Sequence, residues 1–280
     1  MSYDLKGKNV LITGAAMGMG RIYALRSAQE KASNIILWDI NQEQLEKTAE
    51  EVRAKGAIVY TNVVDLGQLE EIERAAKETK ALPNVSSLDV LINNAGVVSG
   101  NNYFWNMDNK KDIYFTMSIN ALAPMYVTNL FIDDMIADKS TEKRILNVAS
   151  AAGLVSNPNM SVYVASKWSC LGWSDSFRLE LKKSGNKHIK VTTFCPTYIS
   201  TGMFYGVKGM LLTPVITPET AVDVAWKGMK KGTPIVYKPL TVRLSGVLKG
   251  ILPTGLWDWV AENVIGIYSS MEDFKGHSNR

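Results

Sequence analysis

The chain has 280 residues, 46% of them hydrophobic and 21% charged, which is the composition of a folded globular protein and excludes a disordered or fibrous one. The net charge of +4, from 31 basic and 27 acidic residues, is too small to indicate a protein that binds nucleic acid. Two cysteines and two histidines are too few for a disulfide framework or a metal site built on these residues, so we expect no metal.

The N-terminus comes first along the chain and gives no targeting signal. Residues 1–10 alternate polar and apolar side chains and lack the apolar core of a signal peptide. No uninterrupted apolar run reaches the roughly 18 residues that span a bilayer. We therefore expect a cytoplasmic protein without a transmembrane segment, whose two thiols are reduced.

Short apolar runs recur along the chain and predict the strands of one sheet. The runs are residues 10–12, 35–38, 58–64, 90–92, 145–148, 191–194 and 235–237. They are apolar on both faces, as buried parallel strands are. The segments between them are long enough for crossover helices; in residues 42–55, for example, Leu45, Ala49 and Val52 share one helix face. This alternation predicts an α/β fold, a three-layer doubly wound parallel sheet of about seven strands.

Nothing in the sequence divides the chain into separate domains. There is no internal repeat and no linker rich in Pro, Gly or Ser, so we predict one domain over residues 1–280. The alternation of strands and helices stops near residue 237. Residues 238–280 are therefore predicted to form a C-terminal helical extension of that domain.

Polar residues follow the predicted strands where each strand ends. They are Thr13-Gly14, Asp39, Asp65, Asn93-Asn94, Ser150 and Pro196-Thr197. Ligands of doubly wound sheets bind beyond the carboxyl ends of the strands. Six polar positions on the same edge therefore predict a single ligand site.

A glycine-rich loop joins the first strand to the first helix. Gly14, Gly18 and Gly20 give the spacing Gly-x-x-x-Gly-x-Gly. Glycines permit a tight turn and a close approach of phosphate to the backbone, and the helix N-terminus supplies N–H donors and the positive end of its dipole. Between the first strand and the first helix, this loop predicts a dinucleotide site.

Two carboxylates bear on the choice of nucleotide. Asp39 ends the second strand about 20 residues after the loop, where a carboxylate accepts hydrogen bonds from a ribose 2′-hydroxyl and repels a 2′-phosphate. No Arg or Lys lies in residues 15–17 or 40–41 to neutralise such a phosphate. We therefore predict NAD over NADP; the alternatives for Asp39 are a helix N-cap and an ordinary loop residue. Asp65 is predicted to hold the adenine amino group, and a turn before Gly67 is an equal alternative.

A tyrosine and a lysine supply candidate proton-transfer groups. Tyr163 and Lys167 are four residues apart in a helical segment, so their side chains share one face. The pKa of tyrosine, ordinarily near 10, falls beside an ammonium or a positively charged ring. Ser150 lies 13 residues before Tyr163, and its hydroxyl is placed to bind a substrate oxygen. Asn120 lies in a long apolar helix, where a buried amide requires polar partners.

These motifs together resemble the short-chain dehydrogenase/reductase family of the Tyr-x-x-x-Lys type. The positions that carry the resemblance, in the family's order and approximate spacing, are residues 13–20, Asn93-Asn94-Ala95-Gly96, Asn120, Ser150, Tyr163 and Lys167. The resemblance covers about residues 5–237 and implies a single Rossmann-type domain. The family usually has Pro-Gly after the sixth strand, whereas this chain has Pro196-Thr197.

The resemblance also implies a role for each matching residue. Tyr163 would be the acid/base, Lys167 would lower its pKa and bind the nicotinamide ribose, and Ser150 would orient the carbonyl. Asn120 would hold a water molecule that relays protons to Lys167. The remaining cofactor contacts implied by the family are Met19, Asn94, Gly96, Ile199 and Thr201.

A narrower resemblance points to the branch of retinol and 17β-hydroxysteroid dehydrogenases, which act on lipophilic alcohols and are often membrane-associated. It rests on residues 37–41, 93–98 and 148–153. The resulting hypothesis is an NAD(H)-dependent oxidoreductase that interconverts a secondary alcohol and a ketone on a hydrophobic, steroid-, retinoid- or lipid-like substrate. One alternative is a 3-oxoacyl thioester reductase, although such enzymes are usually shorter and often carry basic residues that favour NADP. The other is a dinucleotide-sensing regulator, from which loss of the Tyr–Lys pair would be expected.

Three further expectations concern assembly and the C-terminal half. By resemblance, the helical segments 117–135 and 164–181 pair with their copies in a homodimer or homotetramer. Residues 203–212, rich in Met and aromatic side chains, are predicted to form a lid over an apolar pocket, or else an ordinary core helix. In the extension, one helix face is predicted to pack on the domain or a partner subunit, to close the pocket, or to touch a membrane surface. That face consists of Leu256, Trp257, Val260, Ala261, Val264, Ile265 and Tyr268.

Overall fold

The sheet predicted from the apolar runs is present and is parallel throughout. A computed structural model of the protein describes residues 3–201, 203, 207, 210–211, 213–271 and 274. In this part of the chain seven strands pair in the order β3-β2-β1-β4-β5-β6-β7. The strands are β1 (Asn9–Thr13), β2 (Asn34–Asp39), β3 (Ile58–Val63), β4 (Val90–Asn93), β5 (Lys143–Val148), β6 (Ile189–Pro196) and β7 (Ile235–Lys238). The order reverses between β1 and β4, which opens a crevice at their carboxyl ends.

Helices cover both faces of the sheet and complete three layers. They are α1 (Gly18–Gln29), α2 (Gln42–Arg53), α3 (Leu69–Lys80), α4 (Asn109–Ala137), α5 (Ser161–Lys183), α6 (Pro218–Lys231), α7 (Leu240–Ile251) and α8 (Thr254–Val260). One core packs α1, α2 and α6 on the sheet, and a second core packs α3 and α4 on the other face. The three-layer fold with a C-terminal helical tail is therefore confirmed.

Helix α4 has an apolar stretch long enough, by length and composition alone, to cross a membrane. Over 18 residues of this helix the mean hydropathy is 1.2. The expectation of no transmembrane segment was based on uninterrupted apolar runs, which are all shorter than 18 residues. In the structure 56% of this 18-residue stretch is buried. Val127, Phe131 and Met135 pack in the core against the sheet. The apolar character of α4 is thus accounted for by its packing inside the protein.

The tail packs on the domain through a narrower face than the sequence predicts. Trp257 and Ala261 are buried in a cluster with Val155. Leu256 and Val264, expected on the same face, are exposed. Helix α8 is only seven residues long and continues as a wider π-helical turn, Ala261–Ile265, which changes the side-chain register and accounts for the exposure of Val264.

A chain of buried amides and hydroxyls lies under the catalytic edge of the sheet. Asn93 Nδ2 donates to Asn147 Oδ1 over 2.9 Å and to Thr128 Oγ1 of α4 over 3.0 Å. Asn147 Nδ2 donates to Ser174 Oγ of α5 over 2.8 Å, and Ser174 Oγ lies 2.6 Å from Thr193 Oγ1. These contacts fix α4 and α5 relative to β4, β5 and β6.

Replacing Asn147 tests the energetic role of this chain. Asn147→Leu keeps the branched shape of the side chain but leaves Asn93 Nδ2 and Ser174 Oγ each without one buried partner. We expect the free energy of unfolding to fall by about 2 kcal/mol in urea denaturation. The exposed control Asn263→Ala is expected to change it by less than about 0.5 kcal/mol. A similar small effect for both variants would show that the buried chain contributes nothing to stability.

Candidate functional site

One large cleft opens at the carboxyl edge of the sheet. The space between its walls, which is open to solvent, is about 1040 Å³, and it joins two halves of the predicted site. Met19, Asn94, Gly96, Ile199 and Thr201 line the half beside the glycine loop. Ser150, Tyr163 and Lys167 line its centre, so the structure brings these predicted residues together.

The glycine loop has the strained geometry that its sequence predicts. Gly14 and Gly18 have φ angles of +64° and +55°, a region that L side chains rarely adopt. A Cβ on Gly20 would lie 1.9 Å from the Gly14 backbone oxygen. The N-cap residue of α1, Met17, gives the helix no side-chain cap, which leaves backbone N–H groups of the first turn to bind an anion. This loop therefore fits the pyrophosphate of a dinucleotide.

Asn94 ties the glycine loop to strand β4. Its Nδ2 donates to the backbone oxygens of Thr13 and Gly14, both over 3.0 Å. Thr13 Oγ1 in turn accepts from the backbone N–H groups of Asn94 and Ala95 over 3.1 and 3.2 Å. Asn94 Oδ1 is buried and has no hydrogen-bond partner among the described residues. A nucleotide hydroxyl or amide would satisfy this oxygen, so the residues present fit the implied cofactor.

Asp39 is held by the backbone and not used as a helix cap. Its Oδ2 accepts from Ala16 N and its Oδ1 from Asn41 N, both over 2.9 Å. The cap of α2 is Asn41, whose Oδ1 accepts from Gln44 N over 3.1 Å. The carboxylate therefore lies directly beside the glycine loop, as a residue that contacts a nucleotide ribose must.

The geometry of Asp65 is that of a turn residue before Gly67, which was the alternative to contact with adenine. Asp65 Oδ1 accepts from Gly67 N over 2.8 Å, which closes the turn before α3. Contact between Asp65 and an adenine amino group stays a prediction.

The catalytic candidates converge from β5 and α5. Tyr163 and Lys167 occupy successive turns of α5, and Lys167 Nζ lies 5.7 Å from the centre of the Tyr163 ring. The side chains are only 6% and 4% exposed. Ser150 begins the 3₁₀ turn Ala151–Gly153 after β5, and its hydroxyl hydrogen-bonds the Tyr163 hydroxyl. Two hydroxyl groups are thus directed at one point of the cleft.

Burial controls the ionisation of this pair. Loss of solvent raises the pKa of Tyr163 above its ordinary value, and the hydrogen bond from Ser150 opposes this only in part. Loss of solvent also lowers the pKa of the Lys167 ammonium. The protein alone therefore holds Tyr163 as the neutral phenol, a proton donor. This direction is opposite to the lowered pKa that the family resemblance implies.

Asn120 clamps the loop after β4 to the helical layer. Its Oδ1 accepts from Val97 N, and its Nδ2 donates to Val97 O, both over 2.8 Å. Nδ2 also donates to Ser166 Oγ of α5 over 3.2 Å. Asn120 lies in the π-helical segment Ser118–Leu122 of α4, a distortion common at functional sites. The water relay predicted for Asn120 stays a prediction.

Gly96 lies between Asn120 and Lys167. A Cβ at Gly96 would stand 3.4 Å from Asn120 Oδ1 and 3.5 Å from Lys167 Nζ. A Cβ there would thus be in van der Waals contact with both side chains.

The segment after β6 completes the wall beside the glycine loop. Ile199 bridges to Ile216, and a Cβ at Gly18 would lie 3.6 Å from Thr201 Cγ2. Where the family usually has Gly, Thr197 donates its backbone N–H to Lys238 O over 2.9 Å. The unusual residue thus joins the turn to the end of β7.

Apolar side chains from distant parts of the chain form the second half of the cleft. Val155 and Met160 precede the catalytic helix α5, while Val242, Ile265 and Ile267 come from the tail. Of the tail face predicted to close the pocket, Ile265 lines the cleft, and closure of the pocket by that face stays a prediction. Of the proposed lid, Met203 and Met210 line the cleft and Val207 packs near Tyr163. Phe204, Tyr205 and Leu212 lie outside the described residues.

Sequence reasoning missed a polar group at this wall, Asn157, Tyr198 and Ser270, of which Asn157 and Tyr198 line the cleft. They hydrogen-bond one another although they are separated by up to 113 residues. No local spacing signals such a group.

Comparison with known proteins agrees with this geometry. Residues 8–210 match the family model for short chain dehydrogenase. Estradiol 17-beta-dehydrogenase 11 of Homo sapiens is 36% identical over 250 residues, covering 89% of this chain and 81% of that protein. Epidermal retinol dehydrogenase 2 of Mus musculus is 32% identical over 280 residues, covering 99% of this chain and 88% of that protein.

Solved structures share the fold at lower sequence identity. A short chain dehydrogenase/reductase from Burkholderia phymatum, in complex with NAD, has a TM-score of 0.78 and 21% identity, with 89% of this chain and 94% of that chain covered. A short-chain dehydrogenase from Sphingobium yanoikuyae, in complex with NADPH, has a TM-score of 0.73 and 24% identity, with 92% and 96% covered.

The glycine loop, the Ser150–Tyr163–Lys167 constellation and these matches lead to one conclusion: the chain is an oxidoreductase of the short-chain dehydrogenase family and resembles its retinol and hydroxysteroid dehydrogenase branch.

Proposed function

We propose that this protein is an NAD(H)-dependent oxidoreductase that interconverts a secondary alcohol and a ketone on a hydrophobic substrate. The observation that carries the proposal is the hydrogen-bonded pair of Ser150 and Tyr163 hydroxyls in a largely apolar cleft, beside the buried Lys167. A carbonyl oxygen placed against both hydroxyls would be polarised and ready to receive a proton.

The side chains divide the chemistry among them. The bound nicotinamide would supply the hydride for reduction and accept it in oxidation. Ser150 holds the substrate oxygen, and Tyr163 gives its proton to that oxygen when the ketone is reduced. In oxidation the proton moves the other way, from the alcohol to Tyr163. Lys167 binds the nicotinamide ribose and places a positive charge near Tyr163 in the proposed scheme.

The choice of NAD rests on Asp39. One structural relative is in complex with NAD and the other with NADPH, so the fold does not decide. A carboxylate fixed beside the glycine loop repels a 2′-phosphate and accepts hydrogen bonds from a 2′-hydroxyl. Arg21, the first basic residue of α1, is engaged by Glu51 over 3.1 Å.

The size and lining of the cleft support an apolar substrate. The named relatives act on estradiol and retinol, both largely apolar alcohols. Val242 and Ile267 of the tail enclose the cleft, which suits a substrate of the size of estradiol or retinol.

The tail also offers a surface for a peripheral membrane contact, on α7 and not on the face of residues 256–268 for which that alternative was considered. Leu240, Leu244, Val247 and Ile251 form an exposed apolar stripe along α7. Membrane contact and the cytoplasmic location both stay predictions. The two buried free cysteines, Cys170 and Cys195, are in keeping with a reducing compartment.

Two measurements test the proposal. One is activity with an apolar alcohol, and the other is the loss of that activity when the hydroxyl of Tyr163 is removed. We expect NADH formation from NAD with estradiol or decan-2-ol, which are secondary alcohols, in a panel that also contains retinol, a primary alcohol, and a 3-hydroxyacyl thioester, the substrate of the alternative enzyme. Tyr163→Phe is expected to abolish turnover and leave NADH binding nearly intact, because it removes only the transferable proton. The control Tyr60→Phe, on β3 and away from the cleft, is expected to remain active. Near-normal kcat in Tyr163→Phe would show that Tyr163 is not the acid.

Cofactor preference tests the role of Asp39. We expect kcat/KM with NAD to exceed that with NADP by at least about tenfold, or about 1.4 kcal/mol. Asp39→Asn is expected to narrow this ratio because it removes the charge that repels the 2′-phosphate. Asp65→Asn serves as the control and should leave the ratio unchanged. Comparable kcat/KM values for both nucleotides in the unmodified enzyme would contradict the NAD assignment.

A larger side chain in the pocket tests substrate size. Val242→Phe projects into the cleft from α7 and is expected to raise KM for the large apolar substrate about tenfold. KM for NAD and for a small alcohol such as butan-2-ol should change little, because those ligands do not fill that wall. Val247→Phe lies on the exposed face of the same helix and is the matched control. Equal effects of both variants would exclude α7 from substrate recognition.

Assembly is the last prediction. Leu122 of α4 and Trp168 and Leu179 of α5 are exposed apolar side chains. We propose that these helices pair across a two-fold axis in a homodimer or homotetramer. Light scattering at micromolar concentration should give a mass of two or four chains. The mass of one chain would exclude this assembly.

A further inference from the structure

Three polar side chains meet in the apolar wall of the cleft: Asn157 before α5, Tyr198 after β6 and Ser270 in the tail. Asn157 Nδ2 donates to the Tyr198 hydroxyl and to Ser270 Oγ, each over 3.1 Å. The Tyr198 and Ser270 hydroxyl oxygens are 2.9 Å apart, and Ser270 Oγ donates to Ile267 O over 2.7 Å. Asn157 and Tyr198 both line the cleft.

Counting protons fixes the orientation of the amide. Ser270 donates its proton to Ile267, so Tyr198 is the donor in its hydrogen bond with Ser270. Both protons of Asn157 Nδ2 are used by these two hydroxyl oxygens. A flipped amide would instead direct Oδ1 at two oxygens whose protons are already donated elsewhere. The amide therefore keeps Nδ2 on the two hydroxyls and Oδ1 on the opposite side.

Asn157 Oδ1 is the one atom of this group left without a partner among the described residues. The side chain is only 8% exposed, so bulk water does not satisfy this oxygen. An unpaired buried acceptor costs free energy that a hydrogen-bond donor in the cleft would recover. The missing group is a donor and not an acceptor, because Oδ1 has no proton to give.

We propose that Asn157 Oδ1 accepts a hydrogen bond from a second hydroxyl of the substrate, separate from the alcohol that reacts, and makes the enzyme selective for apolar diols and hydroxyketones. This inference rests on the proposed function, since it adds a polar contact to the same substrate cleft. A deoxy compound leaves Oδ1 unpaired, and an ether or ketone brings a second acceptor against it. Asn157 is thus a specificity-determining residue.

A contact that does not change during the reaction strengthens binding of substrate and transition state equally, so its effect falls on KM and not on kcat. In a probe with a flexible alkyl chain, the second hydroxyl can contact Asn157 at any distance from the reacting alcohol up to the extended length of the chain. Decane-1,9-diol, 10-methoxydecan-2-ol and decan-2-ol are therefore suitable probes. They share the same secondary alcohol and differ only at the other end.

In the wild-type enzyme we expect KM for the diol to be about tenfold lower than for the ether and for decan-2-ol, with kcat within about twofold, measured as ketone formed by chromatography. Without the site, the better-hydrated diol would have the higher KM. A KM for the diol equal to or above that of decan-2-ol would overturn the inference. Failure to oxidise any of these compounds or the alcohol panel would instead contradict the proposed function, and the inference with it.

Asn157→Leu removes the Oδ1 acceptor, together with the two hydrogen bonds of Nδ2, and keeps the branched shape of the side chain. We expect it to raise KM for the diol about tenfold and leave KM for decan-2-ol and NAD unchanged. Met160→Leu, in the same wall, is the matched control and should keep the preference for the diol. Melting temperature and NADH binding verify that both variants fold. If Asn157→Leu does not fold, the wild-type comparison decides; if it folds and keeps the diol preference, Asn157 does not determine specificity.

Discussion

The Lys167 ammonium is buried against the carboxyl end of β5, and the arrangement of the site depends on this contact. Lys167 Nζ donates to the Val148 backbone oxygen over 3.1 Å. No carboxylate pairs with it among the described residues, so the surrounding oxygen atoms must compensate for the lost solvent. This contact fixes α5 at the end of β5. Tyr163, one turn earlier on α5, is then held against Ser150, two residues after β5.

The same short segment after β4 connects the two halves of the site. Asn94 holds the glycine loop through the backbone oxygens of Thr13 and Gly14. Three residues later, Val97 is held at both its backbone N–H and its oxygen by Asn120 of α4. Gly96 lies between these clamps and leaves room for Lys167. A shift of this segment would therefore disturb the nucleotide loop and the lysine together.

Local patterns predict the parts of the structure that depend on local physics. The strands follow from apolar runs, the dinucleotide loop from glycines before a helix, and the Tyr163–Lys167 pair from a four-residue helical spacing. The polar group in the substrate wall could not be found in this way. Asn157 meets Tyr198 and Ser270 across 41 and 113 residues, so their contact depends on where the tail packs. The direction of the Tyr163 pKa also escaped prediction, since it depends on burial and not on the neighbouring lysine alone.

The protonation state of Tyr163 is the property on which the proposed chemistry depends most directly. It can be measured as the phenolate absorbance that wild-type protein shows and Tyr163→Phe lacks during a pH titration. Because burial raises the pKa of Tyr163, we expect no phenolate from this residue below about pH 10 in the protein alone. Added NAD should move its ionisation to lower pH, since a positive ring beside the hydroxyl favours the phenolate. Ionisation of Tyr163 well below pH 10 without nucleotide, or a titration that NAD leaves unchanged, would contradict its assignment as the buried proton donor of the reaction.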